Sequence, residues 1–416
     1  MSTMTGRERI MTALSNKQPD RIPATPDISI MIPCKLTGKP NYEIEVNSNP
    51  SLTSAYIRAA RYFGMDGWLF NGTLSYKLKS EVTREITIDK QPDRWHVRTV
   101  IHTPDGDMTS VSVHPFNNPG TMLEKPIKQF KEDFRKIRHL FSEIISYDDS
   151  IYHQQKKEIG EEGMICCFID PPGFQIYSDL ISLEQLVYAY ADFPELFEEL
   201  VEMHEKQAVR KMEMAIDAKV ESILTGGSGS ITLQSPALFR KLSLPTIQKI
   251  TAMAKQAGIL TGIHSCGREY EIVESCANET DLNYLNPLEI PPMGDCNLSD
   301  IKQKFGAKLA LMGNLHTSEV MLFGSVESVR LESLRAIRDA GQGGGFVLST
   351  GDQCGRDTPF ENIFELVDVA KEYGTYPLDM DRIEDEIKRL EKQGVHGAGG
   401  HTFMKSMSNS KLSADS

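Results

Sequence analysis

The sequence has no excess of basic residues and no long apolar stretch. Its 45 Lys and Arg face 58 Asp and Glu, a formal net charge of −13. That balance argues against nucleic acid or an anionic membrane surface as the main partner, because either favours a positive field. No segment approaches the roughly 18 to 20 consecutive apolar residues that span a bilayer, and the opening MSTMTGRERIMTAL lacks the apolar core of a signal peptide. Cysteine is scarce: seven in 416 residues, too few and too dispersed for a disulfide scaffold. A cytoplasmic protein with reduced thiols is expected, its cysteines serving as metal ligands or as small buried hydrophobes.

What remains is an ordinary globular composition, 40% hydrophobic and 25% charged, long enough to bury a large core. Eight short apolar runs start at Arg21, Gly67, Met164, Val220, Ile259, Leu282, Lys308 and Gly345. They are continuous rather than alternating, as parallel strands covered on both faces are, and helical patterns lie between most of them. Thr5-Gly-Arg-Glu8 and Thr358-Pro-Phe-Glu361 both read as capping boxes. Eight strand–helix units predict a (β/α)8 TIM barrel, an α/β fold, over a doubly wound sheet. Residues 75–115 alternate polar and apolar and are rich in Thr, Val and Ile, so an antiparallel β insertion is expected after strand two. A single barrel domain is expected over 1–393, followed by a disordered tail over 394–416.

In such a barrel the chemistry sits at the C-terminal ends of the strands. The fifth run ends in GIHSCG, and residues two apart on a strand share a side, so His264 and Cys266 face one space. The eighth run ends in TGDQCG, which brings Cys354 and, nearby, Asp352. His264, Cys266 and Cys354 form a Cys₂His set suited to zinc, with Glu289, after the sixth run, or a water as the fourth ligand. The alternative is two core cysteines and a structural histidine. The fourth run ends in TGGSGS, where Gly226, Gly227 and Ser228 could cradle an anion with backbone amides or give a bulky cofactor room. His316 follows the seventh run.

Several stretches carry a resemblance to a known family. RERIMTALSNKQPDRIP, VESILTGG, MGNLHTSEVMLFGSVESVR and LSTGDQCGRDTPFENIFELVDVAKEYG together resemble the uroporphyrinogen decarboxylase superfamily, over about residues 5–375. Within it, cobamide-dependent methyltransferases, among them methylcobamide:coenzyme M methyltransferases, carry a zinc motif H-x-C with a distant C. His264, Cys266 and Cys354 match that motif, and Glu289 stands at the acidic position after strand six. The decarboxylase branch uses no metal and carries an arginine-rich N-terminal segment, whereas PDISIMIPCKLTGKP has no arginine. The resemblance therefore implies zinc, a corrinoid co-substrate and methyl transfer to or from a small molecule, with a thiol as the favoured acceptor. The D-x-H-x-x-G pattern of cobalamin-binding domains is missing, so a separate corrinoid protein is the expected partner. A decarboxylase and a metal-free tetrapyrrole-binding barrel are the alternatives.

Overall fold

The computed structural model describes residues 3–398. Thirteen strands are numbered in chain order among these residues. β1 (Gly67–Gly72) is followed by β2 (Ser75–Leu78), β3 (Thr83–Lys90), β4 (Arg94–Thr103), β5 (Gly106–Pro115), β6 (Thr121–Glu124) and β7 (Ile144–Asp148). Then come β8 (Gly163–Phe168), β9 (Ser222–Gly226), β10 (Leu260–His264), β11 (Tyr284–Asn286), β12 (Ala310–Leu315) and β13 (Phe346–Thr350). Seven of them, β1 and β8 to β13, pair in parallel in chain order as one sheet. With helices between consecutive strands, this is an α/β barrel-like fold.

Alternation along each strand feeds two cores. Trp68, Met164, Cys166, Leu224, Tyr284, Ala310, Met312 and Val347 pack with Ile10, Ala13 and Leu14 of the first helix as an inner cluster. Their neighbours Leu69, Ile165, Cys167, Ile223, Leu285, Leu311, Phe346 and Leu348 join a larger cluster with the surrounding helices. Every residue of β9, β12 and β13 is buried, which explains their uninterrupted apolar runs.

The first run departs from expectation. Arg21–Ile28 forms no ladder strand, because Pro23 and Pro26 cannot donate. It still occupies the eighth position. Thr25 N–H donates to Leu348 O (3.0 Å) and Leu348 N–H to Pro23 O (3.0 Å), while Asp66 N–H donates to Ala24 O (2.9 Å). One short segment thus links β13 to the approach of β1.

Between β1 and β8 lies a separate antiparallel sheet of order β3-β4-β5-β6. It starts at Thr83, whereas Ser75–Leu78 pairs with β7. β6 is exposed at all four residues, so no hydrophobic alternation marks it. The sheet is clasped to the stretch that follows the first run. Asn41 N–H donates to Phe116 O (2.8 Å), Tyr42 stacks on Trp95 at 4.4 Å, and His114 Nδ1 meets Glu45 at 2.9 Å.

Helix starts follow the sequence unevenly. Thr5 and Glu8 form the reciprocal capping box. Thr358 does not: its helix begins at Phe360 with Pro359 as N-cap, and the buried Thr358 hydroxyl has no partner. The Thr358 amide, which a capping box would give to the Glu361 side chain, donates to Gly355 O instead (3.0 Å). No helix among the described residues is long and apolar enough to cross a membrane. Val395 and Ala398 still pack on the outer core; the rest of the expected tail, 399–416, lies outside the described residues.

Candidate metal centre

Leu260 packs on the inner cluster, so by alternation Gly262 and His264 also point inward. Gly262 is needed there, since a Cβ would overlap the Tyr284 ring. His264 ends β10, and two residues on, its Nε2 lies 3.0 Å from Cys266 Sγ. The ligand atoms of His264, Cys266 and Asp352 all lie within 4.8 Å of one another. Nitrogen, sulfur and oxygen donors thus converge from the ends of two different strands.

The TGGSGS loop braces this motif from behind. Gly227 N–H donates to His264 O (2.7 Å) and Gly229 N–H to Cys266 O (3.1 Å). Ser228 Oγ lies 3.4 Å from Cys266 Sγ. Gly226 has φ +90° and a Cβ on it would press on the His264 carbonyl. The Gly227 and Gly229 amides are therefore committed to the His264 and Cys266 carbonyls, not free for a phosphate or carboxylate.

Burial and mutual charge shift several acids and a thiol around the cluster. Burial pushes the Cys266 thiol well above its usual range, and the charge of Asp352 pushes it further, opposed by Ser228. Glu289 is buried and is pushed up to about 7, by burial first and by Asp352, although the Gly267 amide opposes this. Its Oε2 accepts that Gly267 N–H. Asp27 also faces the site: burial raises its pKa, the Ser29 hydroxyl and His264 lower it, and Asp352 raises it. Several carboxylates and a thiol share one space with one imidazole. A divalent ion would relieve that repulsion and ionise the thiol, and the mixed N, S, O donor set suits zinc.

Cys354 lies outside the 4.8 Å group. It is fully buried, its amide donates to Asp27 O (2.7 Å), and burial raises its thiol pKa, as do the nearby charges of Asp27 and Asp352. His316 acts as a cap: its Nδ1 accepts from Ser318 N–H (3.2 Å) and Glu319 N–H (3.1 Å). Burial lowers its pKa, so it is a neutral ring with Nε2–H as the remaining donor. Cys166 and Cys167 are core residues. Asp27 and Glu269 are absent from the sequence-derived site. Asp27 could have been found as the end of the first run; Glu269 carries no spacing signal. A cleft of about 540 Å³ opens beside the Cys266 loop, lined by Thr232, Leu233, Arg268 and Asp295 among others.

Comparison with known proteins agrees with this architecture. A uroporphyrinogen decarboxylase of Neisseria meningitidis is 24% identical over 58% of this chain and 65% of its own length. One from Paraburkholderia phytofirmans is 23% identical over 50% of this chain and 54% of its own. The chain thus spans less than two thirds of the length of these curated relatives. Among solved structures, a methyltransferase from Methanosarcina mazei superposes with a TM-score of 0.61 at 18% identity, over 89% of this chain and 99% of that one; this likeness is one of fold. The uroporphyrinogen decarboxylase (URO-D) family pattern matches residues 107–373, more than half of the sequence, and the chain belongs to that family.

Proposed function

We propose that this chain is a zinc-dependent methyltransferase that moves a methyl group between a corrinoid, carried on a separate protein, and a small substrate, favouring a thiol. The convergence of His264, Cys266 and Asp352 carries this reading. His264 and Cys266 would hold the metal, with the remaining two positions drawn from Asp352, Cys354 and Glu289. Bound there, zinc would lower the pKa of a substrate thiol so that it reacts as the thiolate. The Gly226–Ser230 loop fixes the two leading ligands, so the substrate sulfur would be presented in one direction, a positioning effect. Glu289 is a hard, exchangeable oxygen ligand that a sulfur substrate can displace.

On the same reading, the antiparallel sheet is an insertion into a single barrel domain over residues 1–393. Clasped to residues 41–45, it would form part of the rim on which the corrinoid protein docks. A cytoplasmic location accords with the reduced cysteines.

The names of the curated relatives favour a second reading, decarboxylation of a tetrapyrrole. That substrate class is rich in carboxylates, and the stretch after the first run offers little to receive them. Residues 27–40 contain no arginine, and their two lysines are engaged, Lys35 with Arg356 O and Lys39 with Asn49. Mixing zinc-loaded protein with methylcobalamin and candidate thiols, and following the cobalt absorption, separates the readings. Thiol-dependent demethylation lost in His264→Ala supports methyl transfer to a thiol. Methylation of Co(I) by a methoxy or methylthio compound places the enzyme on the donor side, and carbon dioxide release from uroporphyrinogen overturns both.

A further inference from the structure

The loop after β10 and the loop after β11 exchange carboxylate-to-amide hydrogen bonds. Glu289 Oε2, on the second loop, accepts from Gly267 N–H on the first. Glu269 Oε2, on the first, accepts from Leu288 N–H on the second at 2.6 Å. The two bonds form a closed circuit, since Leu288 adjoins Glu289 and Glu269 lies two residues after Gly267. Asp295 tightens it, taking Glu269 N–H (2.8 Å) and Tyr270 N–H (3.0 Å) on one oxygen, while Cys296 N–H returns to Glu289 O (3.0 Å).

Leu288 needs such a tether. Its φ is +61°, a left-handed conformation that costs a non-glycine residue about 1 kcal/mol or more. Glu269 is fully buried, and its Oε1 has no partner. Burial raises its pKa well above the carboxylate range, and the charges of Glu289, Asp295 and Asp352 add to that. Its Oε2 is a fully buried acceptor whose hydrogen-bond partner is the Leu288 amide.

We infer that Glu269 is a positioning residue: through the Leu288 amide it holds Glu289 and, through Gly267, the Cys266 loop in the geometry that receives a metal ion. The inference rests on the metal reading above, but its first test does not. In metal-free protein, Glu269→Leu removes the acceptor, whereas Glu269→Gln keeps an acceptor of the same shape. Hydrogen exchange at the Leu288 and Gly267 amides should quicken at least about tenfold in E269L and stay near wild type in E269Q. Zinc affinity, measured by competition with a chromophoric chelator, should fall by about 10- to 100-fold in E269L, the usual cost of losing an outer-shell partner, and within about threefold of wild type in E269Q. Unchanged exchange in E269L would overturn the inference. So would a loss of zinc in E269Q as large as in E269L, since that would make the charge, as a ligand, the operative feature. If E269L does not fold, Glu269→Ser, whose hydroxyl is too short to reach the Leu288 amide, takes its place under the same bounds. Wild-type protein that binds no zinc would sink the metal reading, and the exchange result would still judge the tether.

Discussion

At the scale of single residues, the proposed zinc site would separate groups that hold the metal from groups that exchange with substrate. Cys354 donates its amide to Asp27 and lies fully buried outside the tight group; on the proposed reading it serves as a third strong ligand. Cys354→Ala should therefore lower zinc affinity by at least about tenfold while the protein stays folded, read by chelator competition alongside circular dichroism. Glu289→Gln should retain zinc but change the affinity for a thiol substrate, because only an exchangeable ligand is lost. A cobalt-substituted form whose spectrum is indifferent to E289Q, with and without thiol, would count against that role. His264 and Cys266 were legible in the sequence because strand parity puts residues two apart on one side. Asp352 was visible only as a neighbour of Cys354, yet the fold brings it closer to the pair than Cys354. Glu269 was not legible at all, since its partner is a backbone amide nineteen positions away.

At the scale of elements, each barrel strand reads through its apolar run, and its exceptions have local causes. The run at Arg21 has the right hydrophobicity, but two prolines deny it a ladder, and it closes the sheet by three hydrogen bonds instead. β6 escaped notice because an exposed four-residue edge strand needs no pattern. The glycine loop after β9 looked like an anion cradle in sequence; in the fold its amides brace the His264 and Cys266 carbonyls. Within β10, Gly262 exists for the Tyr284 ring, itself fully buried and bonded to Trp68 Nε1 at 3.2 Å. Gly262→Ala should cost about 1–3 kcal/mol through overpacking, and displace the strand that carries His264. Denaturant melts should show the loss in stability and zinc titration the weaker site, whereas wild-type values for both would refute the packing argument.

At the scale of the whole molecule, stability and chemistry occupy opposite ends of the barrel. Ahead of β1 and β9, Arg9 joins Asp66 (2.6 Å) and Asp20 (2.7 Å), and Arg7 joins Glu221 (2.8 Å). Burial alone would raise the pKa of Asp20, but Arg9 and the Met4 and Arg21 amides bring it down from 3.8 to about 2. A depressed carboxylate stabilises the folded state fully above its unfolded pKa and loses that contribution as pH falls through the folded value. The Asp20 contribution, on the order of 2 kcal/mol, should be present above about pH 4 and fade toward pH 2. Asp20→Asn should melt below wild type at pH 7, and the two should converge toward pH 2. A gap that is constant with pH would show that the charge is not what matters.

The opposite end holds His264, Cys266 and Asp352, whose ligand atoms converge within 4.8 Å, and on the proposed reading they surround a zinc ion. Elemental analysis of the purified protein, beside a Cys266→Ala variant, tests that claim most directly. The account predicts about one zinc per chain in the wild type, as for a site with several strong donors, and loss of that metal in a folded C266A. A wild-type protein with no stoichiometric metal, or a C266A variant that keeps its full zinc, would contradict it.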